Sequence, residues 1–186
     1  MNSPASVEAH EHIRLFCALT LPQETVGRVV EWQLRLPGGD YRVVPPENLH
    51  LTLAFLGRRP THELAAIEAE LEGAVLAVAA PIVLRLERYR ETRSVGMLVF
   101  ADEDGRAAVL AGDLHARLQR LGVYEPEQRS WLPHLTVVRF RTRPRLAPSL
   151  PDLGEVVPSE AAVYHSVLRP AGAEYVVLHA LPLMGG

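Results

Sequence analysis

Short apolar runs and stretches of alternating polarity predict β-strands along most of this chain. The predicted strands cover residues 14–21, 49–56, 82–89, 95–101, 132–140, 161–168 and 175–183. The last two flank the segment Pro170-Ala171-Gly172-Ala173, and we expect them to form a terminal hairpin that completes a sheet.

Apolar residues three or four positions apart predict three amphipathic helices between these strands. The first begins after Pro22 and carries Val26, Val30 and Leu34 on one side. The second covers residues 61–79. The third follows Asp104-Gly105, ends at Gly122, and has the clearest apolar stripe, formed by Ala107, Leu110, Leu114, Leu118 and Leu121.

One short pattern occurs twice, as His50-Leu51-Thr52-Leu53 and as His134-Leu135-Thr136-Val137. Residues two apart on a strand point to the same face, so His and Thr share one face and the apolar residues pack on the other. The order strand, helix, His-x-Thr strand is found in each half of the chain, which indicates a degenerate twofold repeat. We therefore expect the two motifs to lie across a pseudo-twofold axis.

Length and composition predict one domain over residues 13–186, preceded by a flexible tail over residues 1–12. The chain has 186 residues, of which 48% are hydrophobic and 22% charged, as is ordinary for a globular protein. Its single cysteine, Cys17, excludes an intramolecular disulfide and favours a reducing compartment. The apolar run around Cys17 is too short to span a membrane. We expect a cytoplasmic protein without membrane association.

The net charge of −3 argues against a protein that holds long nucleic acid through its overall electrostatic field. All 19 basic residues are arginines, which the coding bias of a GC-rich genome explains, so each arginine has to be judged by its position. The row Arg139, Arg141, Arg143 and Arg145 fits the guidance of an RNA tail and fits a solvated loop edge equally well.

Two histidines presented alike suit acid–base chemistry on a phosphodiester. Histidine has an unperturbed pKa of about 6.5, so one ring can accept a proton while the other donates one near neutral pH. Thr52 and Thr136 lie beside the histidines, either as hydroxyl donors to phosphate oxygens or as ordinary strand-forming residues. Arg139 follows His134 by an odd number of residues, so it faces away unless the strand has a bulge at Val137-Val138.

The remaining histidines do not predict a metal site, because they lack the close pairing of zinc ligands apart from His10-x-His12 in the tail. His62 and His115 lie on predicted helices, and His165 and His179 lie in the last hairpin. We expect neither a metal nor another cofactor.

The residues around both motifs resemble a known family. The segment from Val44 to Gly57, VPPENLHLTLAFLG, resembles the first signature of bacterial RNA 2′,3′-cyclic phosphodiesterases, which belong to the 2′-5′ RNA ligase family of two-histidine phosphoesterases. The segment 133–139 is similar to their second signature, and the segments 14–19 and 168–175 extend the likeness. The chain departs from the family at Val43, where an aromatic residue is frequent, and at Val138, where alanine is usual.

The resemblance implies a bilobal α+β fold in which two antiparallel sheets form a central cleft with helices on the outside. It implies metal-independent hydrolysis of a terminal 2′,3′-cyclic phosphate to a 2′-phosphate, with His50 as general acid and His134 as general base. By the same resemblance Thr52, Thr136 and Arg139 bind the phosphate, and Phe55 contacts the base.

The expected partners are RNA 3′ ends or nucleotide cyclic phosphates, and the expected state is a monomer. Ligation of 2′,5′ ends is the reverse reaction and is expected as a side activity. Two alternatives stay open at this point, namely a non-catalytic module that binds RNA ends and a cyclic phosphodiesterase that acts on small nucleotides.

Overall fold

The structure is a computed structural model that describes residues 12–170 and 172–185. The strands are β1 (His12–Thr20), β2 (Arg42–Val43), β3 (His50–Pro60), β4 (Leu84–Glu91), β5 (Val95–Ala101), β6 (His134–Arg139), β7 (Glu155–Val156), β8 (Glu160–Arg169) and β9 (Gly172–Pro182). The helices are α1 (Gln23–Leu34), α2 (Leu64–Leu76) and α3 (Arg106–Arg120). The predicted tail lies outside the described residues except for its last residue, His12, which is instead the first residue of β1.

The strands pair antiparallel in the order β7-β4-β5-β6-β3-β1-β8-β9, and β2 lies beside β6. We call β9, β8, β1 and β3 the first lobe and the other strands the second lobe. One residue pair, Leu51 with Leu135, joins β3 to β6 and therefore joins the lobes. The predicted α+β class with antiparallel sheets is confirmed, and the two predicted sheets are continuous through this single pair.

Each lobe is covered by a helix that follows a strand of the other lobe along the chain. Helix α3 follows β5 of the second lobe but packs on β3 of the first, together with α2. Helix α1 follows β1 of the first lobe, but its Trp32 lies 6.2 Å from the Tyr89 ring on β4 of the second lobe. One core cluster contains buried apolar residues of both lobes, and a second, smaller cluster in the first lobe contains Phe16, Ala18, Ala162 and Tyr164.

The predicted apolar side of α1 is wrong at Leu34 and confirmed at Val26 and Val30, which are partly buried against the core. Leu34 is 81% exposed, whereas Thr25, Val29, Trp32 and Gln33 are buried. These four residues are also spaced for one helix face, but two of them are polar, so hydropathy favours the neighbouring face. Burial of Gln33 is tolerated because its amide is hydrogen-bonded to backbone, as described below.

Both ends of α2 differ from the predicted range 61–79, whereas α3 begins directly after Gly105, as predicted. Helix α2 starts three residues late, because residues 61–63 form a 3₁₀ turn and the Thr61 side chain caps nothing. Helix α3 is capped by Asp102, whose carboxylate accepts hydrogen bonds from the amides of Ala107 and Ala108 at 3.3 and 2.8 Å. No helix in the described part of the chain combines the length and the apolar character needed to cross a membrane.

Candidate active site

A cleft of about 780 Å³ opens where the two lobes meet. Its walls include every residue for which the sequence predicts a catalytic or binding role, namely His50, Thr52, Phe55, His134, Thr136 and Arg139. Residues from β1, β2, β8 and β9 and from the segment 44–48 complete the lining. The volume lies within the range of about 300–1,000 Å³ that is usual for small-ligand sites.

The pairing of Leu51 with Leu135 sets the symmetry of the cleft. Because β3 and β6 run antiparallel, the same register places His50 across from Thr136 and Thr52 across from His134. Each histidine therefore faces the threonine of the other motif. The expected pseudo-twofold axis passes through the leucine pair.

Both motif strands carry a bulge at the same point. On β3, Cys17 pairs with Ala54 and Ala18 pairs with Thr52, so Leu53 has no partner on β1. On β6, Gly96 pairs with Val138 and Met97 with Thr136, so Val137 is likewise left over. The bulge that Arg139 requires at Val137-Val138 in order to face the cleft is therefore present.

The consequence of the bulges is a change of strand parity. The burial pattern after each histidine is the same, with two consecutive buried residues followed by an exposed one. The extra residue turns Phe55 and Arg139 back to the cleft face that their histidines occupy. The two strands thus present unlike side chains, an aromatic ring and a guanidinium, at equivalent positions.

A helical side chain holds each bulge by the carbonyl group of its extra residue, and at Val137 that carbonyl also accepts a hydrogen bond from the Val44 amide at 2.9 Å. The Gln33 amide on α1 donates hydrogen bonds to the Val137 carbonyl at 2.8 Å and the Val44 carbonyl at 3.0 Å. On α3, His115 Nε2 lies 2.7 Å from the Leu53 carbonyl oxygen, and since a carbonyl only accepts, Nε2 carries the proton. We call Gln33 and His115 the bulge braces.

The hydrogen bonds of His134 fix its tautomer. Its Nδ1 lies 2.8 Å from the carbonyl oxygen of Leu132, so Nδ1–H is the donor. In the neutral ring Nε2 then carries a lone pair, which is the form that a general base requires. Trp131 supports the same wall, because its indole nitrogen donates to the Thr52 carbonyl at 2.9 Å.

His50 lies against three aromatic rings. Its ring centroid is 4.8 Å from that of Phe16, 5.2 Å from that of Tyr175 and 5.9 Å from that of Tyr164. Burial lowers the pKa of His50 to about 4, and the positive charge of Arg139 contributes to the lowering against an opposing hydrogen bond to backbone. The ring is therefore neutral near pH 7 in the free protein.

This lowered pKa makes the stability of the protein pH-dependent. The His50 ring takes up a proton near pH 6.5 when unfolded but only near pH 4 when folded, so acid favours the unfolded chain. We expect His50 to contribute a loss of about 3 kcal/mol in unfolding free energy as the pH falls from 6.5 to 4, and none above pH 6.5. Urea denaturation at pH 7 and pH 4 of wild type and His50→Gln measures this contribution.

The control for this measurement is His62→Gln, because His62 is exposed and lies outside the cleft. The acid-induced loss should be about 3 kcal/mol smaller in His50→Gln than in wild type or His62→Gln. Equal losses in all three proteins would show that the His50 pKa is not lowered.

Two side-chain polar atoms in the described residues are buried without a hydrogen-bond partner, and both belong to residues that line this cleft. They are Nε of Arg14, a donor, and Oδ1 of Asn48, an acceptor. Asn48 is fixed by its other amide atom, which donates to the Ala173 carbonyl at 2.9 Å, and Arg14 lies over the Phe55 ring at 5.4 Å. A donor and an acceptor are thus available to a ligand at the first-lobe wall.

The sequence profile of the 2′-5′ RNA ligase superfamily matches residues 21–169. The chain belongs to this superfamily. An RNA 2′,3′-cyclic phosphodiesterase of Thermus thermophilus is 34% identical over 183 residues, which cover 93% of this chain and 91% of that protein. An RNA 2′,3′-cyclic phosphodiesterase of Escherichia coli is 31% identical over 135 residues, or 68% of this chain and 71% of that protein.

Solved structures of the superfamily share the fold. A protein of Thermus thermophilus superposes with a TM-score of 0.77 at 33% identity, covering 93% of this chain and 99% of that one. Escherichia coli LigT, solved with 3′-AMP, superposes with a TM-score of 0.77 at 25% identity over the same shares of the two chains. The resemblance stated from the signature segments is thereby confirmed.

The cleft of this superfamily member contains residues that sequence reasoning missed. Arg14, Asn48 and the aromatic ring of Tyr175 lie within segments of family likeness, but no repeated pattern marks them individually. Arg42 lies outside those segments and is brought to the cleft by its pairing with Arg139 on β6. Only the structure reveals this cross-strand neighbour.

The predicted arginine row separates into different environments. Arg139 lines the cleft, whereas Arg143 Nε donates to the buried Glu91 carboxylate at 2.9 Å. Burial raises the pKa of Glu91, but hydrogen bonds from Arg143 and from the amides of Arg145 and Leu146 outweigh it and lower the pKa overall. Arg143 therefore fixes the loop after β6, and of the row only Arg139 is placed to contact a ligand in the cleft.

Among the described residues, no group of three or more His, Cys, Asp or Glu side chains is placed to hold a metal ion. His10 lies outside the described residues, and His12 is on β1. Burial raises the pKa of Cys17 to about 12, so this thiol is a core residue without nucleophilic character near neutral pH.

Proposed function

We propose that this protein is an RNA 2′,3′-cyclic phosphodiesterase that opens a terminal cyclic phosphate to a 2′-phosphomonoester. The observation that carries the proposal is the pair of histidines on symmetry-related strands of one cleft, each across from the threonine of the other motif. The relatives from Thermus thermophilus and Escherichia coli that carry this activity in their names support the same assignment.

In the proposed reaction His134 is the general base and His50 the general acid. Nε2 of His134 takes a proton from water as the water oxygen bonds to phosphorus, and the bond from phosphorus to O3′ breaks. His50 donates a proton to O3′, which leaves a 3′-hydroxyl group and a 2′-phosphate. Proton exchange with solvent restores both rings. The hydrogen bond from Nδ1–H of His134 to the Leu132 carbonyl supports the role of His134 as base, because it leaves Nε2 free to accept a proton.

The assignment of His50 as acid requires that the ring becomes protonated in the substrate complex. Its pKa of about 4 in the free protein reflects burial and the nearby Arg139 charge. A phosphodiester anion in the cleft favours the charged ring and offsets the guanidinium charge, so binding raises this pKa toward neutrality. Thr52, Thr136 and Arg139 then stabilise the negative charge that builds on the non-bridging oxygens.

The other sequence predictions complete the proposal. Residues 13–186 act as a single bilobal domain, a monomer that works in the cytoplasm without a cofactor on RNA 3′ ends or nucleotide cyclic phosphates. Phe55, which is 52% exposed at the cleft, stacks on the terminal base. Ligation of 2′,5′ ends accompanies hydrolysis as a side activity, in which the 5′-hydroxyl group of a second RNA takes the place of water, bonds to phosphorus and displaces O3′.

The test uses an oligoribonucleotide that ends in a 2′,3′-cyclic phosphate, incubated with the protein in EDTA and followed by ³¹P NMR. We expect conversion to a 2′-phosphate end at the same rate with and without the chelator. A requirement for a divalent metal would contradict the two-histidine mechanism, and a 3′-phosphate product would contradict departure of O3′. Binding without any product would identify a module that only holds RNA ends.

A further inference from the structure

Two arginines lie directly opposite each other at the edge of the cleft. Arg42 on β2 pairs with Arg139 on β6, and both side chains line the cleft. Residues opposite each other on antiparallel strands have Cβ atoms about 4.5–5.5 Å apart, and like charges in this position destabilise the sheet. β2 is only two residues long, so little strand pairing offsets this repulsion.

Two acidic residues of the described chain, Glu47 and Glu174, line the same cleft, but neither forms an ion pair with Arg42 or Arg139. Among the described residues, neither Arg42 nor Arg139 has a carboxylate within ion-pair distance, whereas Arg169, also at the cleft, pairs with Glu174 at 3.0 Å. Both arginines are exposed, so their guanidinium groups are available to ligands. An uncompensated pair of this kind fits a ligand that carries more than one negative charge.

A single cyclic phosphate does not account for both cations. It carries one negative charge, and in the proposed function its oxygens are already bound by Arg139, two threonines and two histidines. An RNA strand carries a further negative charge at each nucleotide, so the next anion lies one nucleotide upstream of the reacting phosphate. Beside Arg42, Val43 is 47% exposed and also lines the cleft, offering apolar surface to a nucleobase.

We propose that Arg42 binds the internucleotide phosphate immediately 5′ of the terminal nucleotide, so that the substrate is an oligoribonucleotide end in preference to a cyclic mononucleotide. This inference rests on the proposed function, because it takes the reacting phosphate to lie between the two histidines. It also explains how a chain of net charge −3 holds RNA, through a local contact at the cleft edge.

The test compares two adenosine substrates, adenosine 2′,3′-cyclic phosphate and the dinucleotide ApA that ends in the same cyclic phosphate. We expect Arg42→Gln to lower the ratio of kcat/KM for the dinucleotide over the mononucleotide about tenfold, because the mononucleotide lacks the upstream phosphate. The slope of log kcat/KM for the dinucleotide against log salt concentration should become shallower by about 0.7, the value for one phosphate contact on a single strand.

Arg141→Gln is the matched control, since Arg141 is exposed near the same strand end but does not line the cleft. It should leave the substrate ratio unchanged. An unchanged ratio in Arg42→Gln, or an equal loss on both substrates, would overturn the proposal, and the equal loss would place Arg42 at the reacting phosphate.

A binding experiment separates this inference from the proposed function. The dissociation constants of 3′-AMP and of ApA with a 3′-phosphate can be measured by calorimetry whether or not the protein turns substrate over. We expect wild type to bind the dinucleotide more tightly than 3′-AMP, and we expect Arg42→Gln to lower the ratio of the two affinities about tenfold. Failure of the catalytic assay with retention of this difference would reject the enzyme and keep the subsite, whereas equal preference in both proteins would reject the subsite.

Discussion

Replacing His134 by asparagine is expected to lower kcat by about 10²–10⁴-fold with a much smaller change in KM. General base catalysis by a positioned histidine contributes a factor of this size. Asparagine keeps a side-chain N–H that can reach the Leu132 carbonyl, so the wall of the cleft stays in place while the proton acceptor is lost. Steady-state kinetics on a cyclic-phosphate-ended dinucleotide measure the effect.

The symmetry of the cleft makes a second variant informative. His50→Asn should lose activity to a similar extent, and the double variant should lose little more than either single one, because the two rings act on one transition state. His62→Asn is the control, an exposed histidine outside the cleft that should retain wild-type activity. Losses that multiply in the double variant, or a loss in His62→Asn, would contradict a paired acid–base mechanism.

Replacing Arg139 by methionine is expected to lower kcat by about 10²–10³-fold, as the loss of a preorganised group that stabilises transition-state charge does in other enzymes. The same substitution should raise the pKa of His50, because burial stays the same while the repulsion from the guanidinium is removed. Titration of the His50 ring by NMR measures this second effect independently of turnover.

A purely structural role for Arg139 would give a different outcome. In that case Arg139→Met would lower the free energy of unfolding, and the retained charge of Arg139→Lys would restore little. If Arg139 acts through its charge, Arg139→Lys should recover part of kcat and return the pKa of His50 toward about 4. The recovery of kcat should be incomplete, because lysine lacks the bidentate guanidinium fork. Arg141→Met should change neither quantity.

The elements that the sequence predicted well are those whose pattern is local. The α3 stripe is buried from Ala107 to Leu118, as its spacing indicated, whereas Leu121, its last predicted member, is exposed. The equal spacing of the two His-x-Thr motifs predicted a shared cleft face. Strand parity showed that Arg139 needs a bulge at Val137-Val138 to reach this face, and the bulge is present. In each case the neighbours that decide the conformation lie within a few residues along the chain.

The features that escaped prediction depend on contacts between distant parts of the chain. Nothing near Gln33 indicates that its amide meets Val137, more than a hundred residues away, so hydropathy did not predict the burial of Gln33. The sequence around His115 predicts only a position on a helix, and its hydrogen bond to the Leu53 carbonyl is evident only in the structure. Arg42 became a candidate only through its pairing with Arg139.

The bulge braces cross between the halves of the molecule. Gln33, from the first half of the sequence, holds the bulge of β6, and His115, from the second half, holds the bulge of β3. A local opening of α1 or α3 therefore releases the His-x-Thr strand of the other half of the repeat, so neither half forms its share of the site alone.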